Sequence, residues 1–89
     1  SWNAALQLAA SGSSKGTEVL GEMVNRTFLS GIREMNEEQR SEVMIQGIRA
    51  LGALKERTLE SRIQALKAED PNLKVRQAAI EVINAWAEE

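Results

Sequence analysis

Residues 36–54 of the chain, NEEQRSEVMIQGIRALGAL, decide its fold. Asn36 and Gln39 have the spacing of a helix capping box, and the two acids between them, Glu37 and Glu38, suit the positive end of a helix dipole. We therefore predict a helix that begins near Glu37. Its buried stripe follows from the three- and four-residue spacing of the small and apolar residues, which are Met44, Gly47, Ile48, Leu51 and Leu54.

Two further helices are predicted before this segment. One long amphipathic helix is expected from Thr17 to about Met35, with a stripe of Leu20, Val24, Phe28, Gly31 and Met35. A shorter helix is expected over residues 1–10, where the helically spaced residues are Trp2, Ala5, Leu6 and Ala9. Residues 11–16, SGSSKG, are typical of a flexible connector because Gly and Ser favour turns over helix interiors. The first helix is therefore predicted to be tethered to the rest.

The stretch after Leu54 is open to two interpretations. Charged residues interrupt the stripe over residues 55–58, and the apolar spacing resumes at Leu59. Either one helix continues to about Lys67 and changes its buried face, or a short break near Lys55 divides it, which is the interpretation we favour. Asp70-Pro71 then ends the helical region because proline disfavours helix at the residue before it.

The last predicted helix is apolar over more than half of its circumference, which indicates burial on two sides. Its apolar residues are Val75, Ala78, Ala79, Val82, Ile83 and Trp86, with Ile80 and Ala87 at the edges. With 89 residues, one proline and three aromatic side chains, we predict an all-α protein, since strand-rich domains use more aromatic residues. We expect four to five helices in a small helical bundle or a short α-solenoid-like array. Residues 1–10 form the N-terminal helix, 11–16 the linker and 17–89 a single helical domain.

Residues 70–83, DPNLKVRQAAIEVI, resemble the turn and second helix of a HEAT repeat. The pattern of that family is Asp-Pro, then Val-Arg, then Ala-Ala and a pair of aliphatic residues. Leu59, Ile63 and Leu66 fit the first helix of the repeat, although Leu66 lies one residue farther from the Asp than is usual, so the resemblance covers residues 58–87. No second copy of the pattern occurs in the chain.

The resemblance implies roles for five residues of this segment. Asp70 would cap the second helix, and Arg76 would pair with Asp70 or with an equivalent Asp on a neighbouring unit. Val75, Ala79 and Ile83 would pack inward. HEAT repeats stack into arrays, so the resemblance also implies that the hairpin packs against other helices.

The composition argues against catalysis. The chain has no Cys and no His, so the usual thiolate and imidazole groups of metal binding, nucleophilic attack and near-neutral proton transfer are absent. We expect no enzymatic activity, no cofactor and no metal. The densest acidic group is expected to be a solvated helix face rather than a cation site; it comprises Glu34, Glu37, Glu38 and Glu42.

A nucleic-acid-binding function is the weakest of three hypotheses. A basic stripe could form if the middle segment is helical, and it would comprise Arg49, Lys55, Arg57, Arg62 and Lys67. The formal net charge is −2, and acids as numerous as the bases in residues 36–69 would weaken the field of such a stripe. No aromatic residues alternate with these bases to stack on nucleobases.

The favoured hypothesis is a non-catalytic structural or interaction subunit that binds copies of itself or another protein, as a homo- or hetero-oligomer. A component of a phage or viral assembly is one such subunit, and a small inhibitor of one enzyme or defence complex is the alternative hypothesis. Trp and Arg are frequent anchors of protein interfaces. The candidate interaction residues are Trp2, Leu6, Phe28, Arg49, Arg57, Arg62, Arg76 and Trp86.

Membrane association is disfavoured by the sequence. No apolar run approaches the roughly 20 residues that span a bilayer, and the N-terminal residues lack the pattern of a signal peptide. We therefore expect an intracellular protein where it is made, with incorporation into a virion as an expectation under the phage or viral hypothesis.

Overall fold

The structure, a computed structural model, describes all 89 residues. It is 79% helical and contains no strand, which confirms the all-α prediction. The six α-helices outnumber the four or five predicted. They are α1 (Trp2–Ala10), α2 (Thr17–Met23), α3 (Arg26–Ser30), α4 (Glu37–Leu54), α5 (Glu60–Glu69) and α6 (Leu73–Ala87).

Helix α4 begins at the predicted capping box. The side-chain oxygen of Asn36 accepts a hydrogen bond from the Gln39 backbone N–H at 2.8 Å, and the Asn36 N–H donates to Gln39 Oε1 at 2.9 Å. The helix ends at Lys55, which has the left-handed backbone angles φ 56° and ψ 40°. A single 3₁₀ turn, Arg57–Leu59, then leads into α5. The favoured break near Lys55 is therefore confirmed.

The prediction of one helix from Thr17 to Met35 was wrong. The helix ends at Met23, and Asn25 has extended backbone angles, with its side chain accepting a hydrogen bond from the Phe28 N–H at 3.1 Å. Asn is among the best helix-capping residues because its short side chain can replace a missing backbone acceptor. The predicted stripe also fails after Val24: α3 buries Leu29 in the core, whereas Phe28 is 43% exposed and Gly31 is exposed.

Helix α4 lies at the centre of the packing and contacts α1, α2, α3 and α6. Its fully buried side chains, Met44, Ile48 and Leu51, lie within one core of 17 residues drawn from all six helices. Two glycines allow its neighbours to approach closely. A Cβ at Gly47 would lie 2.9 Å from Val24 Cγ1 of the α2–α3 turn, and one at Gly52 would lie 2.6 Å from Val82 Cγ2 of α6.

Helix α6 packs against both α4 and α5, so its wide apolar arc is buried on two sides as predicted. Trp86 is 3% exposed, and its indole N–H donates to the Gly52 carbonyl oxygen at 3.3 Å. The guanidinium of Arg57 lies 5.6 Å from the centre of the indole ring and donates to the Trp86 carbonyl oxygen at 2.7 Å. These contacts join the end of α6 to the turn that follows α4.

The segment between α1 and α2 is a close turn rather than a long tether. Gly12 has φ +84°, and Ser13 caps a 3₁₀ turn over Ser14–Gly16. Gly16 is buried, and a Cβ there would lie 2.9 Å from the Ala5 Cα. Helix α1 therefore folds back on the turn and on α2 and α4, and it buries Ala5 and Ala9.

Adding one methyl group should have opposite effects at two helical glycines, Gly52 and Gly21. Gly52→Ala should destabilise the fold by about 1–3 kcal/mol because the stiff, β-branched Val82 cannot move aside easily. Gly21→Ala in α2 is the matched control, since its Cβ would meet only Leu59 Cδ1 at 3.8 Å. It should stabilise the helix by about 0.5–1 kcal/mol. Urea unfolding followed by tryptophan fluorescence measures both; equal effects of the two substitutions would contradict the close approach at Gly52.

Candidate interaction surface

The turn between α5 and α6 is fixed to α4 by an arginine. Arg26 of α3 makes a two-pronged contact with Asp70, with Nε–Oδ1 and Nη2–Oδ2 distances of 2.9 and 2.8 Å, and also donates to Ser41 Oγ and Glu37 Oε2 at 3.1 Å each. Asp70 is 5% exposed. Its hydrogen bonds raise the pKa of Arg26 despite the opposing effect of burial. The pair therefore joins α3 to the α5–α6 turn, across 44 residues of sequence.

This pairing differs from the one that the HEAT resemblance implies. Asp70 does not cap α6; it accepts the Asn72 N–H at 2.9 Å, and the Asn72 side chain in turn caps the helix by accepting from the N–H groups of Lys74 and Val75. Arg76 does not pair with Asp70, and its Nε is buried without a hydrogen-bond partner. Asp70 is already occupied by Arg26, whose fork matches both carboxylate oxygens.

The Asp70–Asn72 turn forms one wall of a groove between α4 and α6. The groove has a volume of about 440 Å³ at the Pro71 end and continues into a second depression of about 230 Å³. Glu42, Ile45 and Lys74 line both parts. The residue numbers rise together along the two walls, from Glu38 to Arg49 on α4 and from Leu73 to Glu81 on α6, so the two helices run in the same direction here.

The rim of this groove carries charges that have no ionic partner within the chain. Glu38, Glu42, Arg49 and Lys74 are all exposed, and none of them forms a salt bridge or a side-chain hydrogen bond. Leu73 is 72% exposed and is the most exposed large apolar residue of the protein. A single exposed apolar residue is common on protein surfaces; here it lies beside four charges that have no ionic partner in the chain.

A separate groove, of about 360 Å³, lies on the other side of α4. Trp2, Met35 and Val43 supply its apolar residues, and Glu42 stands on the ridge that separates it from the α4–α6 groove. All three apolar side chains are partly buried and pack against the core. The outward face of α4 is thus flanked by apolar residues on both sides.

The structure places the candidate apolar residues in different environments. Trp2 and Leu6 of α1 are half-buried on the core, and Phe28 of α3 is 43% exposed. Trp86 lies in the core, so its side chain does not face solvent as an interface anchor would. Only Trp2 of these four lines a surface groove.

The candidate arginines are also dispersed. Arg49 lines the α4–α6 groove, whereas Arg62 donates to the Gly21 carbonyl oxygen at 3.1 Å and joins α5 to α2. Arg57 contacts Trp86 and lies 3.9 Å from a carboxylate oxygen of Glu89. Arg76 is half-buried. These residues therefore do not form one site.

The single basic helical stripe considered for nucleic acid does not form. The break over Lys55–Leu59 separates Arg49 from Arg62 by a turn of the chain. Lys55 forms an ion pair with Glu89 at 3.2 Å. The five bases therefore do not share the face of one helix.

Several residues of the α4–α6 groove were not among the candidates drawn from the sequence. Leu73 was not predicted because it precedes the apolar arc of α6. Lys74 was not predicted because a single lysine beside it carries no distinctive sequence pattern. Glu38 and Glu42 were assigned to a solvated face. The spacing of four residues between them places both on one side of α4. This spacing is the sequence feature that could have identified them as part of one surface.

The chain matches no protein-family model, no curated protein and no solved structure. No group of three or more acidic side chains converges as a metal site would require. No helix has both the length and the apolar character needed to cross a bilayer. What the chain does is therefore inferred from its surface.

The Arg26–Asp70 pair yields a stability prediction. Asp70→Asn should destabilise the protein by about 3 kcal/mol because it leaves the largely buried Arg26 charge without its partner. Glu37→Gln is the matched control; the Glu37 side chain is 65% exposed, and exposed ion pairs contribute less than about 1 kcal/mol. Chemical denaturation at neutral pH measures both. Similar losses for the two variants would contradict the central role of Asp70.

Glu56 yields a pH prediction. The Thr58 hydroxyl donates to Glu56 Oε2 at 2.8 Å, and the Thr17 hydroxyl lies 3.1 Å from Oε1. These hydrogen bonds lower the pKa of Glu56 below its ordinary value of 4.5. A lowered folded-state pKa gives stability that is present above pH 4.5 and is lost as the pH falls through the folded pKa.

Thr58→Ala should therefore reduce stability at neutral pH, and its difference from wild type should shrink as the pH falls below 4.5. Thermal unfolding over a pH series measures this, and an NMR titration of Glu56 should show its pKa rising in the variant. Thr27→Ala, at an exposed position of α3, is the control. A constant gap between Thr58→Ala and wild type at every pH would refute the assignment.

Proposed function

We propose that this protein is a non-catalytic interaction subunit that binds other protein chains through helix faces, as part of a larger assembly. The observation that carries the proposal is the outward face of α4, which is flanked by two open grooves with apolar residues on each side. Leu73 in one groove and Trp2 in the other supply large apolar side chains at its edges. A partner that covered this face would remove apolar surface from water at both edges.

The shape and chemistry of these grooves favour a protein partner over a small molecule. Small-molecule sites enclose most of the ligand within an apolar pocket, whereas only two of the eight residues that line the largest groove are hydrophobic. The sequence also lacks Cys and His, so the usual thiolate and imidazole groups of metal-binding and catalytic sites are absent. Charges of both signs occur around the grooves, which suits a mixed-charge protein surface better than a uniformly charged polymer.

The HEAT-like relationship is part of this proposal at the level of architecture. We infer that α5 and α6 act as one helical hairpin of a short solenoid-like array. The Asp70-Pro71 turn and the burial of Val75, Ala79 and Ile83 support the inference. The Arg26–Asp70 pair is a departure from the implied pattern, because it joins the turn to α3 rather than to Arg76.

Site-specific photo-crosslinking tests the proposal. A photoreactive amino acid at Gln46, which lines the Trp2 groove, or at Leu73 should give covalent adducts with protein when the chain is irradiated in cells that produce it naturally. The same group at Gln64, on the exposed side of α5, is the control and should give no discrete adduct. Mass spectrometry identifies the crosslinked chain.

Two outcomes separate the alternatives. Discrete protein adducts at positions 46 or 73 but not at 64 support an interaction subunit, whether the adduct is a second copy or another protein. Equal crosslinking at all three positions, or none at any, would overturn the proposal.

A further inference from the structure

We propose that the face formed by α4 and α6 binds a second copy of this chain as a two-fold symmetric dimer. This inference rests on the proposed function, because it names the partner of that interaction surface. It is carried by the arrangement of charges around the α4–α6 groove.

Four charged positions mark the corners of this face. On α4, the acidic pair Glu38 and Glu42 stands at one end and Arg49 at the other; on α6, Lys74 stands beside the acids and Glu81 beside Arg49. The signs therefore alternate around the face, and the two diagonals each carry one sign. Glu81 accepts one long hydrogen bond from Gln77 at 3.4 Å, and the remaining charged residues have no partner in the chain.

The acids and the base on α4 share one side of the helix. Glu38 and Arg49 are separated by eleven residues, which at 100° per residue is three full turns plus about 20°. The same eleven residues cover about 16 Å along the axis. Glu38, Glu42, Ile45 and Arg49 thus form one row, acidic at its first half and basic at its end.

Alternating corners make this face complementary to itself. A two-fold axis that lies in the interface and runs across the helices places Glu38 opposite the Arg49 of the second copy, and Lys74 opposite its Glu81. An axis that runs along the helices places Glu42 opposite Lys74 and Arg49 opposite Glu81. In both arrangements every corner meets the opposite sign, and a two-fold interface uses the same patch twice.

A partner with charge of one sign would fit less well. A basic peptide would meet Arg49 and Lys74, and a nucleic acid would meet the acids at the other two corners. Like charges placed opposite each other oppose binding. A second copy supplies the matching signs without any other protein.

Apolar contact is available between the charged corners. Leu73 is 72% exposed at one end of the groove, and Ile45 and Ala78 form its floor. In a dimer each Leu73 would lose contact with water, and the charged rim would surround it. Because the face offers only one exposed large apolar side chain, we expect a weak dimer that associates at micromolar to millimolar concentration.

Sedimentation equilibrium of the purified chain is the first test. The apparent mass should rise from 9.8 kDa toward twice that value with increasing concentration. Glu38→Lys/Glu42→Lys should weaken the association by about tenfold or more, because two symmetric corners become repulsive. Glu18→Lys/Glu69→Lys, which changes the net charge equally at exposed positions outside the face, should leave it unchanged. Circular dichroism verifies that each variant is folded.

Mixing variants is the sharper test. Arg49→Glu and Lys74→Glu should each lose self-association, since each gives two corners of like charge. When either is mixed with Glu38→Lys/Glu42→Lys, the corners become complementary again in one of the two axis orientations. Association should therefore return with Arg49→Glu if the axis runs across the helices, and with Lys74→Glu if it runs along them. Lys15→Glu has the same net charge as these variants and should restore nothing.

A constant mass of 9.8 kDa up to millimolar concentration would overturn the dimer. Association that ignores the charge reversals, or that returns in neither mixture, would also overturn this face as its site. The proposed function fails separately: adducts in cells between Leu73 and a different protein alone would leave it intact while refuting the second copy on this face, and the absence of all crosslinks would refute the function itself.

Discussion

Two neighbours of α4 approach it closely at residues that have no side chain. The α2–α3 turn occupies the space beside Gly47, and Val82 of α6 occupies the space beside Gly52. An added Cβ would lie within 3.0 Å of a neighbour at both positions, well inside ordinary van der Waals contact. The positions of α2 and α6, and hence of the core between them, depend on this absence. In helix interiors glycine otherwise costs stability, so the two residues act through packing.

The two faces of helix α4 have different surroundings. Its inner face is filled by α2, α3 and α6, and its outer face carries the Glu38–Arg49 row beside the groove. The Arg26–Asp70 pair links the two faces, because it fixes the turn from which Leu73 and Lys74 extend. A substitution in the core should therefore alter folding, whereas one on the outer row should leave the core unchanged.

Periodicity and capping predicted most of the fold. They predicted little of the surface, because the surface depends on contacts between residues that are distant in sequence. The capping box at Asn36, the break near Lys55 and the two-sided burial of α6 depend on residues close together in sequence, where local geometry is decisive. The break at Asn25 was missed because the apolar spacing runs through it. The groove was missed because it requires α4 and α6 to lie side by side, and no pattern within either helix contains that information. The HEAT resemblance implied that Arg76 pairs with Asp70, six residues away, or with an Asp of a neighbouring unit, whereas the partner of Asp70 is Arg26, 44 residues away.

Helix α1 is attached to the rest mainly through small side chains. Ala5 and Ala9 are its only fully buried residues, and Trp2 and Leu6 are half-buried. Because the free energy of burial scales with apolar area, α1 is held by less than α4 or α6. It should therefore open locally more readily than α4 or α6. Its amide protons would then exchange with solvent through this opening, and those of α4 only when the whole chain unfolds.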